Sequence, residues 1–444
     1  MMNTYDNLLD KITKKSLNVG IIGLGYVGLP LAMAFCKGGI AITGFDIDSL
    51  KISSISAGTS YISSINSDVM KSYVDSKRLI ATSDFSQLRA MDAIIICVPT
   101  PLSAQREPDL SFVLSSIEAV TKHSIKGKII VLESTTYPGT VADYIRPLLS
   151  ASPYKENEDY YLAFSPERED PGNTTYNTHN IPKIVGADHP EALNISTKLY
   201  EIALEKVVGV SSTKAAEAAK ITENIFRAVN IALVNELKVI YDAMGIDIWE
   251  VINAAATKPF GYMPFYPGPG LGGHCIPIDP FYLSWKAREF EHNTRFIELA
   301  GEINHSMPNY VVSKTVEALS THMQKAAKGA RILILGIAYK KGVNDLRESP
   351  ALVIIKRLAS LGADISYYDP YAPIITKQRE HPELVDMTSI AWDGHEFTQY
   401  DAAILVTDHD NVDYARIAKD IPIIIDTRNR MHSITAGKAV IVKA

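Results

Sequence analysis

The sequence predicts an α/β protein with two Rossmann-like, doubly wound domains, joined by a long central helix and a helical dimerisation segment. Two observations support this fold class. Short apolar strands alternate with helix-length segments in the first half and in the last third of the chain, and the middle contains a long Ala-rich stretch without proline. The 444 residues suffice for about three domains of roughly 150 residues each, and we place their boundaries at 1–210, 211–320 and 321–444.

The predicted strands are continuous apolar, β-branched runs, which are typical of parallel sheets covered by helices on both faces. They are Leu17–Gly23, Gly38–Asp46, Asp92–Pro99 and Gly127–Ser134 in the first half, and Ala330–Ala338, Ala363–Pro370, Asp401–Asp410 and Ile421–Arg428 in the last third. Between these groups, Thr213–Met244 predicts one helix of about 32 residues, which is about 48 Å long. We expect this helix to join two domains and to present an apolar face to a second copy of the chain, because one small sheet cannot cover it.

Composition and charge exclude several classes of protein. The chain is 46% hydrophobic and 21% charged, which is typical of a globular protein and not of a disordered one. Lys plus Arg number 44 against 50 for Asp plus Glu, so the net charge of −6 offers no basic excess for nucleic acid or a membrane surface. The chain has only three cysteines, which predicts a cytoplasmic protein without disulfides. The polar segment Met1–Ser16 predicts no leader, and the lack of an apolar run of about 18 residues predicts no membrane span.

A glycine-rich loop follows the first predicted strand and opens a helix near Leu29. Gly23, Gly25 and Gly28 have the G-x-G-x-x-G spacing of a dinucleotide loop, in which glycines permit a tight turn, backbone approach to a pyrophosphate and close helix packing. Asp46 ends the second strand, where a carboxylate accepts hydrogen bonds from ribose hydroxyls and repels a 2′-phosphate. The loop therefore predicts binding of NAD rather than NADP, and the expected cofactor contacts in this region also include Tyr26, Val27 and Lys51.

A second loop, with Pro99 and Thr100, follows a strand of the same predicted sheet. Ligands bind at the carboxyl ends of such strands, so both residues are candidate cofactor contacts. An ordinary rigid turn accounts for the two prolines of the Val98–Pro101 sequence equally well.

Cys275 differs from the other two cysteines. Cys36 and Cys97 lie among apolar residues and are predicted to be inert core thiols, whereas Cys275 lies in the glycine-rich segment Pro267–Pro280 just before a predicted helix start. Without a second cysteine at metal-binding spacing, the residue is a candidate nucleophile for aldehyde chemistry, and no metal site is predicted. A structural cysteine in a tight turn is the alternative, and His274 is expected to be structural.

Several of these motifs together resemble the UDP-glucose/GDP-mannose dehydrogenase family, from about Leu17 to about Met431. The stretch Ala163–Asn173 resembles the branch of that family that acts on UDP-N-acetylhexosamines. The motifs that carry the resemblance are GLGYVGLP (Gly23–Pro30), VPTP (Val98–Pro101), SPERE (Ser165–Glu169), the helix with Lys220 and Asn224, GLGGHCIPIDP (Gly270–Pro280) and the segment Tyr339–Ser349.

The resemblance implies an oxidation of a sugar C6 alcohol to a carboxylate with two NAD. It assigns Cys275 as the nucleophile that captures the C6 aldehyde and then carries a thioester. Lys220 and Asn224, one helical turn apart, would stabilise oxyanions at C6. Asp279 would share proton handling with Lys220, and Glu167 would assist thioester hydrolysis.

The remaining implied contacts concern water and the nucleotide sugar. Thr135 would hold the hydrolytic water and contact the cofactor, and Lys340 and Arg347 would reach phosphates from the last domain, Arg347 on the cofactor side. Read from the residues alone, the aromatic rings of Tyr262, Phe265 and Tyr266 are candidates for stacking on the uracil or a sugar face, and packing beneath the loop is equally compatible with the sequence. The expected substrate-binding set is completed by Arg168, Lys258 and Gly272, together with Glu167, Lys220 and Asn224.

The resemblance to this branch implies UDP-N-acetylglucosamine as the substrate and a product that is a precursor for surface polysaccharide such as capsule or O-antigen. UDP-N-acetylmannosamine or UDP-glucose, oxidised by the same chemistry, are the nearest alternatives. A two-electron β-hydroxyacid dehydrogenase shares the first domain and a Lys/Asn pair but lacks the cysteine loop and the last nucleotide domain. A non-catalytic nucleotide-sugar or NAD sensor is the alternative of a different class. We expect a homodimer or a higher homo-oligomer.

Overall fold

The computed structural model describes residues 3–62, 65–101, 107–168, 175–273, 276–376, 380–434, 437 and 439–444. The chain divides into two units, one formed by 1–223 with 281–293 and the other by 224–280 with 294–444. The boundary falls inside the long helix that the sequence predicts. Among the described residues, no helix combines the length and the apolar character that a membrane crossing requires.

The first unit contains one sheet with the strand order β3-β2-β1-β4-β5-β6-β7-β8, in which only the β6–β7 pair is antiparallel. The order of its first six strands is that of a dinucleotide-binding fold. The strands are β1 (Asn18–Ile22), β2 (Ala41–Phe45), β3 (Leu79–Thr82), β4 (Ala93–Ile96), β5 (Lys128–Leu132), β6 (Tyr160–Phe164), β7 (Lys183–Gly186) and β8 (Val207–Val210).

Helices cover both faces of this sheet, so that the strands β4, β5, β6 and β7 are buried along their whole length. The helices that lie wholly in the unit are α1 (Thr4–Thr13), α2 (Gly28–Lys37), α3 (Ser49–Ser56), α4 (Ser67–Asp75), α5 (Ser111–Lys122), α6 (Arg146–Ser150) and α7 (Pro190–Glu201). The helix α8 (Thr213–Ala243) begins in this unit and continues into the other.

The second unit contains a smaller, fully parallel sheet of order β10-β9-β11-β12-β13. Its strands are β9 (Arg331–Leu335), β10 (Asp364–Tyr368), β11 (Ala402–Leu405), β12 (Ile423–Asp426) and β13 (Val440–Lys443). The helices of the remaining chain are α9 (Ile248–Ala255), α10 (Asp279–Arg288), α11 (Arg295–Met323), α12 (Pro350–Ser360) and α13 (Tyr414–Asp420).

The fold class predicted from the sequence is confirmed. Each predicted strand contains an observed one, and the predicted Thr213–Met244 helix is α8, with 31 residues. The second sheet repeats the doubly wound pattern in a shorter form, in which β9 lies between β10 and β11. In each sheet the crevice at the carboxyl ends, where the strand order reverses, is therefore where a nucleotide is expected to bind.

Candidate active site

The glycine-rich loop after β1 has the geometry that a dinucleotide pyrophosphate requires. Gly23 adopts a φ of +92°, and a Cβ there would lie 2.6 Å from the carbonyl oxygen of Cys97. A Cβ on Gly28 would lie 1.9 Å from the Gly23 carbonyl oxygen, so only glycine lets α2 begin so close to the turn. A Cβ on Gly25, by contrast, would meet no atom within 4 Å, which leaves room for a ligand phosphate over the backbone N–H groups of the α2 amino end.

Asp46 follows β2 and is fixed by three donors. Its Oδ2 accepts hydrogen bonds from the Leu24 N–H at 2.9 Å and from the Lys51 ammonium at 3.1 Å, and its Oδ1 accepts from the Asp48 N–H at 2.9 Å. Burial alone would raise the pKa of Asp46, but the two backbone N–H groups and the Lys51 charge lower it below its ordinary value. A carboxylate offers about four acceptor positions, so the ionised side chain retains capacity for a ribose hydroxyl.

The loops after β4 and β5 are joined at the same edge of the sheet. The Thr100 hydroxyl donates a 2.6 Å hydrogen bond to the carbonyl oxygen of Thr135, and the Tyr282 hydroxyl donates to the Thr100 carbonyl. Thr100 is buried, Thr135 is half-buried and Pro99 is exposed. Tyr26, in the glycine loop, is 43% exposed. These contacts bring two candidate cofactor residues, Thr100 and Thr135, together in the first unit.

A buried ion pair lies between α8 and the segment after β6. The Lys220 ammonium is 3.1 Å from Oε2 of Glu167, and both residues are less than a tenth exposed. Removing such charges from water costs several kcal/mol each, which the pair interaction offsets only in part. Arg168, the next residue, is bound by Glu223 at 2.6 Å and donates to the Pro182 carbonyl oxygen, also at 2.6 Å.

A second buried polar pair belongs to the other unit. The Asn224 amide donates a 2.6 Å hydrogen bond to Oδ2 of Asp279, the first residue of α10. Asn224 and Asp279 are 3% and 1% exposed. Lys220 and Asn224 are four residues apart on α8, so the two side chains face the same side of that helix. Cys275 and His274 lie outside the described residues.

The glycine loop before Cys275 is held by backbone and ring contacts within the second unit. The Gly273 N–H donates a 2.9 Å hydrogen bond to the carbonyl oxygen of Arg347, and a Cβ on Gly272 would lie 2.6 Å from the Cβ of Tyr339. The guanidinium of Arg347 itself binds the Asp345 carboxylate, with a shortest distance of 2.6 Å. The loop after β9 therefore supports the backbone of Gly272 and Gly273.

Three other candidate substrate residues, Lys258, Phe265 and Tyr266, occupy the segment between α9 and the glycine loop. Phe265 packs edge-to-face on Phe226 at 5.7 Å, and the Tyr266 hydroxyl is 3.0 Å from the Asn253 side chain. Lys258 is exposed, with its ammonium 4.9 Å from the ring centre of Phe260. Lys340 is half-buried in the loop after β9.

Comparison with known proteins identifies the family. Three models of one family match successive parts of the chain: the NAD binding domain of the UDP-glucose/GDP-mannose dehydrogenase family at residues 17–204, its central domain at 214–306 and its UDP binding domain at 333–433. The chain belongs to the UDP-glucose/GDP-mannose dehydrogenase family. It is an NAD-dependent nucleotide-sugar dehydrogenase.

Similar dehydrogenases carry different substrate names. The chain is 35% identical to the UDP-N-acetyl-D-glucosamine 6-dehydrogenase of Pseudomonas aeruginosa, over 89% of this chain and 91% of that protein. It is 33% identical to the UDP-N-acetyl-D-mannosamine dehydrogenase of Pyrococcus horikoshii, over 93% and 96% of the two chains. The solved structure of the UDP-D-ManNAc dehydrogenase from Pyrococcus horikoshii has a TM-score of 0.85 at 32% identity, covering 96% of this chain and 98% of that one.

Sequence reasoning did not identify two residues that hold the glycine loop of this dehydrogenase. The Asn235 side chain, on α8, accepts a 3.0 Å hydrogen bond from the Gly268 N–H and donates at 2.9 Å to Asn304 on α11. The Arg428 guanidinium covers Gly268 so closely that a Cβ there would lie 2.5 Å from its nitrogen. The only signal for Asn235 is an amide among apolar neighbours on α8, which is too weak to assign a partner.

Proposed function

We propose that this dehydrogenase oxidises the C6 hydroxyl of UDP-N-acetylglucosamine to the carboxylate, with two hydrides passing to two NAD. The observation that carries this proposal is that both candidate residues of α8 are buried and paired with a carboxylate, Lys220 with Glu167 in the first unit and Asn224 with Asp279 in the second. Buried charges of this kind are costly to folding and are typical of sites that handle developing charge. The name of the Pseudomonas aeruginosa relative supports the choice of sugar.

NAD, when bound, would supply the hydride acceptor for both oxidations. In the first oxidation the chain must accept the hydroxyl proton and stabilise the alkoxide. Lys220 and Asn224 supply a cation and an amide donor for that oxygen, because they face the same side of α8. The Asp279 carboxylate, hydrogen-bonded to Asn224, orients the amide and is available for proton transfer.

In the second oxidation, the Cys275 thiolate adds to the C6 aldehyde, which prevents the aldehyde from escaping while the cofactor is exchanged. This thiohemiacetal would become a thioester by loss of a hydride to the second NAD and of its hydroxyl proton to a base of the chain. Glu167 then assists attack of water, which Thr135 holds, and releases the thiolate and the carboxylate product. The proposed phosphate contacts are Lys340 and Arg347.

The competing substrate is UDP-N-acetylmannosamine, favoured by the names of the Pyrococcus horikoshii relative and its solved structure. Incubation of the purified enzyme with NAD and each of UDP-N-acetylglucosamine, UDP-N-acetylmannosamine and UDP-glucose, with NADH counted by absorbance, separates the candidates. We expect the highest kcat/KM for UDP-N-acetylglucosamine and two NADH per sugar. Preference for another sugar overturns the substrate, one NADH per sugar overturns the four-electron reaction, and no NADH favours a sensor.

Covalent catalysis is tested at Cys275. The Cys275→Ala variant lacks the thiolate, so we expect net oxidation to fall by at least about a thousandfold while substrate still binds. Cys275→Ser retains a hydroxyl of similar size but forms an ester that hydrolyses poorly, and intact-protein mass spectrometry should reveal a sugar adduct. Turnover of Cys275→Ala at the wild-type rate would refute this role and favour a two-electron dehydrogenase.

We also propose that the enzyme works in the cytoplasm as a homodimer and supplies uronic acid for surface polysaccharide. The dimer is supported by apolar side chains that α8 leaves exposed at helical spacing. Phe226 and Leu233 are each 50% exposed and Ile240 is 46% exposed.

A further inference from the structure

A buried carboxylate–imidazole pair lies at the carboxyl end of the second sheet, apart from the catalytic candidates. Nε2 of His409, which follows β11, is 3.0 Å from Oδ2 of Asp369, which follows β10, and both side chains are shielded from solvent. The ring of Tyr371 covers the imidazole with a centroid distance of 5.0 Å. A group buried in this way is retained only when its hydrogen bonds are made.

The hydrogen bonds assign the tautomer of His409. The Gly342 N–H donates to Nδ1 at 3.1 Å, so Nδ1 carries no proton and Nε2 donates its own to Asp369. Burial alone would raise the pKa of Asp369, but the hydrogen bond from His409 and those from backbone N–H groups lower it below its ordinary value.

Asp369 is well supplied with donors even without His409. Its Oδ2 accepts from the N–H groups of Ile337 and Ala338 at 2.8 and 3.0 Å, and its Oδ1 accepts from those of Tyr371 and Ala372 at 2.8 and 3.0 Å. Four backbone donors satisfy a carboxylate. What His409 adds is an acceptor for the Gly342 N–H, a group that belongs to a different loop.

Gly342 closes the loop Tyr339–Gly342, which follows β9 and carries Lys340. The loop is also fixed at its start, where the Tyr339 N–H donates to the Asp345 carbonyl oxygen at 3.0 Å. We propose that His409 is a positioning residue for this loop, holding Gly342 through Nδ1 so that Lys340 is directed to the diphosphate of the nucleotide sugar. The inference rests on the proposed function, in which Lys340 contacts a phosphate.

Two substitutions at His409 separate its two hydrogen bonds. In His409→Asn the side-chain oxygen occupies nearly the position of Nδ1 and still accepts from Gly342, whereas in His409→Gln the amide occupies nearly the position of Nε2 and serves only Asp369. We expect His409→Gln to increase hydrogen exchange in peptides spanning 339–342 and to weaken UDP binding roughly tenfold, while His409→Asn stays within about twofold of the wild type in both measurements. The kcat of His409→Gln at saturating substrate should change less than its KM.

Lys340→Met provides the reference for the phosphate contact, and thermal melting of all variants reports general damage. The positioning role is overturned if hydrogen exchange in peptides spanning 339–342 is the same in the wild type and in both His409 variants. It is also overturned if both variants lose stability, exchange protection and UDP affinity to the same extent. Exchange that increases only in His409→Gln supports the role. If UDP affinity is then unchanged in both His409→Gln and Lys340→Met, the assigned phosphate contact is wrong, whereas the positioning of the loop by His409 stands.

Discussion

Replacing Lys238 with methionine should stabilise the protein near neutral pH. Lys238 lies on α8 and is 2% exposed, and its ammonium has no hydrogen-bond partner among the residues that the structure describes. The rings of Tyr310 and Trp249 lie 4.8 and 5.7 Å from the nitrogen. Burial lowers the pKa of Lys238 from 10.5 to about 7, although the charges of Asp242 and Asp426 oppose this shift.

The sign and size of the effect follow from proton linkage. In the unfolded chain Lys238 keeps its proton up to about pH 10.5, whereas in the folded protein it releases the proton above about pH 7. The destabilisation caused by burying the charge is therefore complete below pH 7 and disappears as the pH approaches 10.5. The difference between the pKa values of Lys238 in the unfolded and the folded chain corresponds to a destabilisation of roughly 5 kcal/mol as an upper limit. Methionine has a similar volume but loses two cation–π contacts, and we expect a net gain of about 2–4 kcal/mol at neutral pH.

The assay is urea unfolding of wild type and Lys238→Met at about pH 7 and about pH 9.5, followed by far-UV circular dichroism. The advantage of Lys238→Met should shrink by about 1.4 kcal/mol for each pH unit between these conditions. Lys356→Met, at an exposed lysine with 53% side-chain exposure, is the matched control and should show no such change. If Lys238→Met exceeds the wild type in free energy of unfolding by the same amount at both pH values, the burial of the Lys238 charge is not the cause of the gain.

Three further predictions concern the cofactor, a buried carboxyl and the dimer. Asp46→Ala should weaken NAD binding by about tenfold or more and reduce discrimination against NADP, measured as kcat/KM for each cofactor, and a wild type that prefers NADP would contradict the ribose assignment. Burial raises the pKa of Glu217 from 4.5 to about 7, so its stabilising contribution is complete below about pH 4.5 and is lost as the pH rises to about 7. The melting temperature of the wild type should therefore fall between about pH 4.5 and pH 7, and this fall should be smaller in Glu217→Gln. An equal fall in both proteins would contradict the role of Glu217. Leu233→Glu with Ile240→Glu should convert a dimer to a monomer in light scattering, whereas a monomeric wild type at micromolar concentration would exclude the dimer.

The elements that the sequence predicts correctly are those with one strong local signal. Continuous β-branched runs identify the β1 and β4 strands, and the length and alanine content of α8 identify the central helix. The helix α11 is missed because Pro308 lies in its interior, where proline removes a backbone hydrogen bond and normally ends a helix. Its buried face compensates for that bond, which no local pattern reveals.

The sequence names the residues of the candidate site, which stay a prediction, but it does not reveal their contacts. The four-residue spacing of Lys220 and Asn224 is visible in the sequence, but their carboxylate partners, Glu167 and Asp279, come from segments 53 and 55 residues away along the chain. The anchoring of the glycine loop by Asn235 is invisible for the same reason, since hydrogen bonds between distant segments depend on how helices and loops pack.

The two nucleotide domains have a similar glycine turn after their first strand, but they differ in whether the acidic residue after the next strand is accessible to a ligand. Gly336 repeats Gly23, with a φ of +77° and an N–H bonded to the strand that follows in sequence. Asp369 then repeats Asp46, yet its carboxylate is saturated by backbone donors and covered by His409, and Ala338 stands where the first domain has Gly25. An alanine restricts backbone approach to a pyrophosphate, and a covered carboxylate cannot accept from a ribose. The acid that we propose to select the cofactor in the first domain thus has a counterpart that stabilises loops in the second. This difference accounts for the binding of NAD by only one of two similar sheets.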